Sequence, residues 1–502
     1  MEHYIIILLI LVFWAFRWAL QLTKTRDFEL VKPGRRSVNP VSDAVKRGYR
    51  QISTVTGKPF FVRYWQRDYL ILPIKYLHDV RHAARDHLEF VDSIADILFL
   101  YNWVGDLFES SRMVFAVIKG VNPQLPRLSD AMFEESSRAF DMEIGLLKDG
   151  ESKRLPALDF LTAISMRTMA RIIAGRELAR DEVFLKATTN YLNGNFITGF
   201  IMLNLPIEGS LRDWVTWPLY KYHQHFRQQR VINMIKPFVA KRMEDHRLGI
   251  RGKGEFDTID ATLDLLHEFP FDPNAQNSPV HTLAHETLQL VWAGGQSPAI
   301  SAGSIVFKLL EEPSYVEPLR EEAQAAVEKH GWTNAIFNEL PKLDSFIRET
   351  HRLHPVFSLN ATRVVKGKPF TFSDGLTVPV GTRIAFPAEA CQRDPEVIAD
   401  PETFDGFRFV KLAAANTKQE DGVNRWAASH ASYSNLTFGY GNHACPGRFI
   451  AVRLLKILVA RLLLDYDVSW DHNGGEPPRM VLEGMSFPNV TEKVTLRKRM
   501  IS

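Results

Sequence analysis

The pattern of apolar and polar positions along the chain predicts mostly helices. Apolar residues recur at the spacing of one helix face in three long stretches, 157–173, 220–246 and 282–310. Runs with strand character are shorter, and the clearest are 70–73 and 377–386. The second run contains Pro379 and Gly381, which mark a turn between two strands. We therefore expect a mainly α-helical fold with small β-sheets.

The N-terminal residues differ from the rest of the chain. Residues 4–16 form an unbroken apolar run, and the run continues after Arg17. It is just long enough to cross a bilayer if Arg17 reaches the headgroups. We expect residues 1–22 to be a membrane anchor, with the remainder cytosolic because the basic residues follow the run. A cleaved secretory signal is the alternative, but no Lys or Arg precedes the run and no small-residue cleavage site follows it.

The segment after the predicted anchor has the character of a connector. Residues 23–40 are basic and contain Pro33, Gly34 and Pro40, which predicts a short stiff linker. No repeat or low-complexity tract follows. The sequence therefore predicts one folded domain over 41–502.

Composition excludes some classes of protein. The chain has 502 residues, of which 45% are hydrophobic, and its net charge of +3 gives no case for nucleic-acid binding. Its two cysteines, Cys391 and Cys445, exclude a disulfide framework and suit a reducing compartment. Triplets of the glycosylation pattern begin at Asn360, Asn435 and Asn489, and a cytosolic domain would leave them unmodified.

The most informative segment surrounds Cys445. Gly439 and Gly441 precede it, so the backbone can turn tightly and approach a flat object closely. Pro446 fits the first position of a helix, which the spacing of apolar residues predicts over 448–464. A helix N-terminus favours a negative sulfur, and a thiolate is what a soft axial iron ligand requires. A lone cysteine is more often simply a small buried residue, so the flanking pattern must decide whether Cys445 is an iron ligand.

That flanking pattern resembles the haem-binding loop of cytochromes P450. The family's loop runs Phe, two residues, Gly, one residue, Arg or His, one residue, Cys, one residue, Gly. The matching residues here are Phe438, Gly441, His443, Cys445 and Gly447. The resemblance implies the mainly helical P450 fold with a buried haem b, whose iron has Cys445 as its axial ligand. It also implies that His443 donates a hydrogen bond to a haem propionate.

A second resemblance concerns a structural triad. Glu349 and Arg352 are three residues apart and share one helix face as an ion pair. Cytochromes P450 carry Glu-x-x-Arg in a helix before the haem loop, tied to an arginine in a later meander, and Arg408 matches that arginine. Gly406 and Phe407 depart from the usual proline and acidic residue. The resemblance implies a structural role for this triad and no catalytic one.

Arg363 is a candidate ligand of the cofactor. It follows Arg352 by eleven residues, near the point where the family often places an arginine that binds a haem propionate. A guanidinium is a good bidentate partner of a carboxylate. A surface arginine on a strand is the alternative.

The stretch 281–310 is similar to the oxygen-activating helix of the family. Ala293 and Gly294 match its small residues, which would let the helix pass close to the porphyrin, and Pro298 predicts a kink. An ordinary buried helix with a proline kink is the alternative. Gln296 and Ser297 occupy the places of the family's acid and threonine.

These two positions bear on proton delivery. The Ser297 hydroxyl can hold a water or the distal oxygen, whereas Gln296 can order water but cannot ionise. We therefore expect protons to arrive through a water chain or a substrate hydroxyl.

The resemblance implies a monooxygenase that inserts one oxygen atom from molecular oxygen into a lipophilic substrate. Electrons would come from NADPH through a separate membrane-bound cytochrome P450 reductase, since the chain lacks a nucleotide or flavin motif. The loop form His-Ala-Cys-Pro-Gly-Arg-Phe resembles fungal enzymes of secondary metabolism, which suggests a terpenoid or related metabolite and an endoplasmic reticulum membrane location. His281 and His285 lack a third zinc ligand motif.

Two other functions stay open at this point. The altered pair Gln296 and Ser297 keeps alive a haem-thiolate isomerase or dehydratase without net oxygen insertion. A non-catalytic haem-binding protein is the second alternative.

Overall fold

The structure is a computed structural model that describes residues 27–84, 87–98, 110–204, 209–250, 256–415, 424–472 and 475–500. The predicted anchor, residues 1–22, lies outside the described residues. Among the residues that are described, no helix combines the length and the apolar character that crossing a bilayer requires.

Helices dominate the fold, as the spacing of apolar residues predicts. The helix predicted over 157–173 is confirmed with the same bounds, and those over 220–246 and 282–310 lie within longer helices. The helices are α1 (Pro40–Gly48), α2 (Thr54–Thr56), α3 (Leu77–His82), α4 (Val91–Leu98), α5 (Ser111–Phe115), α6 (Leu125–Ile144), α7 (Ala157–Ile173), α8 (Arg176–Ala179), α9 (Glu182–Asn204), α10 (Gly209–Arg247), α11 (Thr258–Asp264), α12 (Pro279–Glu311), α13 (Val316–His330), α14 (Pro341–Leu353), α15 (Ala388–Cys391), α16 (Arg408–Ala415) and α17 (Arg448–Asp465).

The strands are short and form small sheets. They are β1 (Phe60–Tyr64), β2 (Arg67–Ile71), β3 (Leu88–Glu89), β4 (Ser152–Pro156), β5 (Asn360–Val365), β6 (Phe370–Thr371), β7 (Thr377–Val378), β8 (Arg383–Phe386), β9 (Tyr466–Trp470), β10 (Met480–Leu482), β11 (Met485–Phe487) and β12 (Lys493–Lys498). The largest sheet has the order β1-β2-β8-β5-β3, in which β2 and β8 run parallel and the other neighbours antiparallel. The second has the order β4-β12-β9, and two hairpins pair β10 with β11 and β6 with β7.

Part of the predicted linker belongs to this sheet region. Leu30 forms a parallel bridge with Phe61 of β1, and the Val31 amide donates to the Phe61 carbonyl at 2.9 Å. Val31 is buried. Residues just before α1 therefore pack along β1 instead of standing clear of the domain.

The long helix α12 runs through the middle of the molecule. Its first turn is capped by Ser278, whose hydroxyl accepts from the His281 amide at 3.3 Å. The helix packs against α7, α10 and α17, and it continues through Pro298. It is therefore the element against which the other parts of the site are placed.

Two apolar cores meet beside α12. One core is built by the helices, the other by the largest sheet with the short helices around it, and Trp292 of α12 packs against both. The segment before Cys445 crosses between them, because Leu436 belongs to the sheet core and Phe438 packs on the helical core. The candidate site lies at this junction.

Candidate functional site

The loop before Cys445 closes on itself through glycines. Gly439 has φ +72° and Gly441 has φ +69°, a region that favours glycine. A Cβ on Gly441 would lie 2.9 Å from the Arg81 Cα, so the backbone of α3 leaves no room for a side chain there. The turn ends where the Cys445 amide donates to the Phe438 carbonyl at 2.8 Å.

Cys445 lies at the start of α17 and faces accessible space inside the protein. Its side chain is exposed, yet burial among the surrounding protein atoms raises the pKa of the thiol. Backbone N–H groups of Gly447 and Arg448, together with the Arg448 charge, oppose this rise. Burial prevails, so a cationic partner such as an iron ion would be needed to hold the thiolate form. The helix begins at Arg448, as the spacing of apolar residues predicts, so Pro446 lies two residues before the helix and not at its first position.

The backbone just after Cys445 borders open space, since a Cβ built on Gly447 would meet no atom within 4 Å. Soft thiolate ligation from a helix N-terminus beside such a space suits a haem iron. The residues present therefore fit haem b.

Arg363 and His443 lie together next to the loop. Arg363 is 1% exposed, which excludes a surface arginine, and it donates to the Thr362 carbonyl at 2.7 Å and the Tyr440 carbonyl at 3.3 Å. Its guanidinium lies 5.4 Å from the centre of the Phe90 ring, and the Phe90 and His443 rings are 5.5 Å apart. This arrangement gives two polar side chains that could hold the propionates of a haem.

Glu349, Arg352 and Arg408 form one buried cluster. Glu349 is fully buried and accepts two hydrogen bonds from Arg352, both at 2.8 Å, and one from Arg408 Nε at 3.0 Å. Arg408 also donates to the carbonyls of Ala399 and Thr403 at 2.6 and 2.8 Å. The cluster thereby ties α14 to the segment before α16, and it does not touch Cys445 in the described contacts.

The two departures in the meander have a packing reason. A Cβ on Gly406 would lie 2.7 Å from Phe346 and 2.8 Å from Tyr315, so only glycine fits there. The Phe407 ring meets Tyr315 edge-on at 4.9 Å between centroids. Aromatic packing on Tyr315 replaces the proline and acid of the family pattern.

The stretch of α12 around Gly294 presents Ala293 and Ser297 on one exposed stripe. The Ser297 hydroxyl donates to the Ala293 carbonyl at 3.3 Å. The Gln296 side chain is not part of this stripe, since its Nε2 donates to Asn193 Oδ1 of α9 at 3.4 Å. Gly294 does not face this stripe, because a Cβ there would lie 2.9 Å from Met169 Cε of α7. The smallness of Gly294 therefore serves helix packing, contrary to the sequence-based expectation.

His281 and His285 do not form a metal site. The rings are 6.2 Å apart, and the Nε2 atoms of His285 and Gln228 lie at hydrogen-bond distance, 2.9 Å. Burial lowers the pKa of His285 to about 3, so the imidazole is neutral near pH 7. In the part of the chain that the structure describes, no three or more His, Cys, Asp and Glu side chains are grouped so that they could hold a metal ion.

Three side-chain amides at the loop were missed by sequence reasoning. They form hydrogen bonds with backbone groups on both sides of Cys445: the side chains of Asn122 and Asn360 donate, and that of Gln392 accepts. In the sequence, Asn360 is recognisable only as the first residue of a glycosylation triplet. No local signal marks such contacts, because their partners lie 324, 76 and 44 residues away in the chain.

The chain is similar to known proteins of one family. The family model described as Cytochrome P450 matches residues 128–496. The chain is 36% identical over 455 residues to the cytochrome P450 monooxygenase sirB of Leptosphaeria maculans, which covers 90% of this chain and 85% of that protein. It is 30% identical over 463 residues to the cytochrome P450 monooxygenase paxP of Penicillium paxilli, covering 91% and 85%.

Two further similarities extend the comparison. The ent-kaurene oxidase of Gibberella intermedia is 28% identical over 454 residues, covering 88% of this chain and 81% of that protein. The solved structure of retinoic acid bound cyanobacterial CYP120A1 superposes with a TM-score of 0.64 at 17% identity, covering 94% of this chain and all of that one. The second similarity concerns the fold alone.

Proposed function

This chain belongs to the cytochrome P450 family as a monooxygenase, and from that premise we propose that it oxidises a terpenoid or related lipophilic secondary metabolite. The observation that carries the proposal is the placement of Cys445. Its sulfur lies at the N-terminus of α17 and accepts from the backbone N–H groups of Gly447 and Arg448, and the backbone at Gly447 borders open space. This is where a haem iron would bind.

The protein's own residues have distinct parts in this proposal. Bound haem would supply the activation of molecular oxygen, and Cys445 would hold its iron through the thiolate. The Gly447 and Arg448 amides favour negative charge on the sulfur. Arg363 and His443 would hold the propionates by hydrogen bonds. Ser297 would order water near the reacting atoms, and Gln296 would order water from the separate position in which it bonds Asn193.

Supply of protons is the step that departs most from the family pattern. The hydroxyl of Ser297 is exposed and can exchange its bond to the Ala293 carbonyl for a bond to water. Gln296 is bonded to Asn193, and both are neutral amides. Protons therefore travel through ordered water in this proposal, without an ionisable side chain at position 296.

Relatives support the substrate class. Ent-kaurene oxidase is named for a diterpene hydrocarbon, and this chain matches most of that enzyme's length. A matched pair of C20 compounds tests the proposal: a polycyclic diterpene hydrocarbon and a straight-chain C20 fatty acid. We expect the polycyclic compound to shift the ferric spin state at lower concentration. Tighter binding of the fatty acid would reject the terpenoid class.

We also propose that residues 1–22 anchor the protein in the endoplasmic reticulum membrane, with the enzyme domain in the cytosol and a reductase delivering electrons from NADPH. The apolar run and the basic residues after it support this arrangement. Alkaline carbonate extraction of microsomes tests it. The full chain should remain in the membrane pellet, while release of the full chain to the supernatant would contradict an anchor.

The haem-thiolate assignment is tested by the carbon monoxide spectrum of the reduced protein. Thiolate ligation gives the strongly red-shifted Soret band from which the family takes its name. Cys445→Ser should abolish that band. Cys391→Ser is the matched control, because Cys391 is buried elsewhere and its thiol donates to the Ala388 carbonyl, a bond that serine can replace. Loss of the band in the control alone, or a globin-like band in the wild type, would reject the assignment.

Oxygen insertion is tested separately from haem binding. With ¹⁸O₂ and a reconstituted reductase, the product should carry one labelled oxygen atom and turnover should require NADPH. Conversion of substrate without NADPH and without label would instead indicate an isomerase or dehydratase.

A further inference from the structure

The backbone just before the Cys445 loop is held by Asn360. Its side-chain Nδ2 donates to the Leu436 carbonyl at 2.7 Å and to the Thr437 carbonyl at 3.3 Å. Leu436 and Thr437 directly precede Phe438, where the loop starts. One carboxamide therefore fixes two successive peptide groups at the entry to the loop.

The same two residues are held from the other side by Gln392. Its Oε1 accepts from the Leu436 amide at 3.2 Å and from the Thr437 hydroxyl at 3.4 Å. Gln392 is 2% exposed, and its Nε2 has no hydrogen-bond partner among the described residues. An unpaired buried donor is unfavourable, so what this side chain contributes is its accepting oxygen.

A third carboxamide acts at the exit of the loop. Asn122, which precedes α6, donates from Nδ2 to the Pro446 carbonyl at 3.1 Å. Pro446 follows Cys445 directly. The backbone is thus held before and after the cysteine by side chains from three distant parts of the chain.

These amides also connect the loop to the other site residues. The Gln392 carbonyl accepts from Arg352 Nη1 at 3.1 Å, so the Glu349 cluster supports Gln392. Asn360 lies in β5, the strand that carries Arg363. Its Oδ1 accepts from the Ala361 amide at 2.8 Å, where Ala361 has φ +51°. The strand is bent at this point, and Asn360 bonds both the bend and the loop.

All three side chains are uncharged, and this suits their position. A carboxamide can fix a peptide carbonyl or amide without adding charge.

We propose that Asn122, Asn360 and Gln392 are positioning residues that hold the Cys445 loop so that its sulfur stays bonded to the haem iron. The inference rests on the proposed haem-thiolate function and adds residues to it. None of the three touches the sulfur, so each acts through the backbone of the loop.

The test uses the full-length holoenzyme and the carbon monoxide spectrum of its reduced form. Asn360→Leu and Gln392→Met preserve size but remove the bonds to Leu436 and Thr437. The ratio of the red-shifted to the unshifted Soret band is measured across a urea series, with helix content followed by circular dichroism. Each variant loses two hydrogen bonds to Leu436 and Thr437, and one hydrogen bond of ~1 kcal/mol corresponds to about fivefold, so we expect at least a fivefold lower ratio for each variant at urea concentrations where the helices persist.

Thr258→Val is the matched control. The buried Thr258 hydroxyl donates to the Ile172 carbonyl at 3.1 Å, far from the loop in sequence and in a different helix contact. It should lower overall stability without changing the ratio of the two bands. If the Asn360 and Gln392 variants behave like this control, losing the red-shifted band only in step with helix content and at an unchanged ratio of the two bands, their role is merely structural. That result would overturn the proposal.

Two more variants keep the result decisive if a leucine variant does not fold. Gln392→Glu retains an accepting oxygen and should keep more of the red-shifted band than Gln392→Met. Asn122→Leu changes a partly buried residue and should lower the ratio in a folded protein. No difference between Glu and Met at position 392, with an unchanged ratio in Asn122→Leu, would reject the positioning role. A wild type without the red-shifted band would reject the haem-thiolate function itself.

Discussion

Gln296 Nε2 donates to Asn193 Oδ1 at 3.4 Å, linking the middle of α12 to α9. Both side chains are amides, so neither changes charge with pH. This pair stands where the family pattern has an acid, and its neutrality has consequences for proton supply that can be measured.

The first prediction concerns Gln296→Glu. A carboxyl at this position can accept and release protons, so the product formed per NADPH should rise several-fold and become dependent on pH, whereas wild-type coupling should vary little near neutral pH. The solvent isotope effect on coupling should change as well. Asn193→Leu is the companion variant, since it removes the partner without adding an acid. Unchanged coupling and an unchanged isotope effect in Gln296→Glu would end this account of proton supply.

The second prediction concerns the Glu349 cluster. Glu349→Gln removes the charge that buried Arg352 and half-buried Arg408 share, and breaking the buried Glu349–Arg352 pair costs about 3–5 kcal/mol of unfolding free energy. Urea denaturation measures the loss. Glu244→Gln is the matched control, because Glu244 pairs with Arg247 at the same three-residue spacing on an exposed surface. No measurable change is expected there, and equal losses at both sites would contradict the assigned role of burial.

The third prediction concerns His351 and pH. Burial lowers the pKa of His351 from 6.5 to about 4, while the unfolded chain keeps the ordinary value. Between those values the unfolded state binds more protons, so stability is lost as the pH falls through this window. The contribution is on the order of 3 kcal/mol at its limit. His351→Leu should reduce the slope of unfolding free energy against pH between about 6.5 and 4, while the contribution of other buried histidines such as His285 remains. An unchanged slope would contradict a contribution from His351.

The fourth prediction separates two costs at Gly441. Gly441→Ala meets both a positive φ and the Arg81 backbone at 2.9 Å, so it should strongly reduce haem incorporation. Gly367→Ala has φ +67° with nothing within 4 Å, so it should carry only the backbone cost of about 1 kcal/mol. The ratio of Soret to protein absorbance measures incorporation. Equal losses of haem incorporation in both variants would mean that the Arg81 backbone shifts to make room for the new methyl group.

Much of the architecture is predictable because it depends on local patterns. The helix α7 follows from the spacing of apolar residues over its own length, and the turn at Pro379 and Gly381 separates β7 from β8 as expected. The loop around Cys445 is also recognisable, since its glycines and cysteine are neighbours in sequence. Such signals need no knowledge of the rest of the fold.

Other features follow only from packing between distant segments. The sequence shows that Gly294 is small, but the position of Met169 decides which side of α12 needs that smallness. Gly406 is similar, since Phe346 and Tyr315 exclude a side chain there. The spacing of apolar residues in a helix indicates which face is buried, but not which other element packs against that face.

Three features arise within single segments and therefore follow from local sequence: the helical character of the protein, the loop that presents Cys445 and the pairing of Glu349 with Arg352. In contrast, the contacts of Asn360 and Gln392 with the backbone before that loop, and of Gln296 with Asn193, depend on how distant segments pack. A side-chain amide has no preferred partner in sequence. Its hydrogen bond is chosen when packing brings a peptide group from another segment within reach.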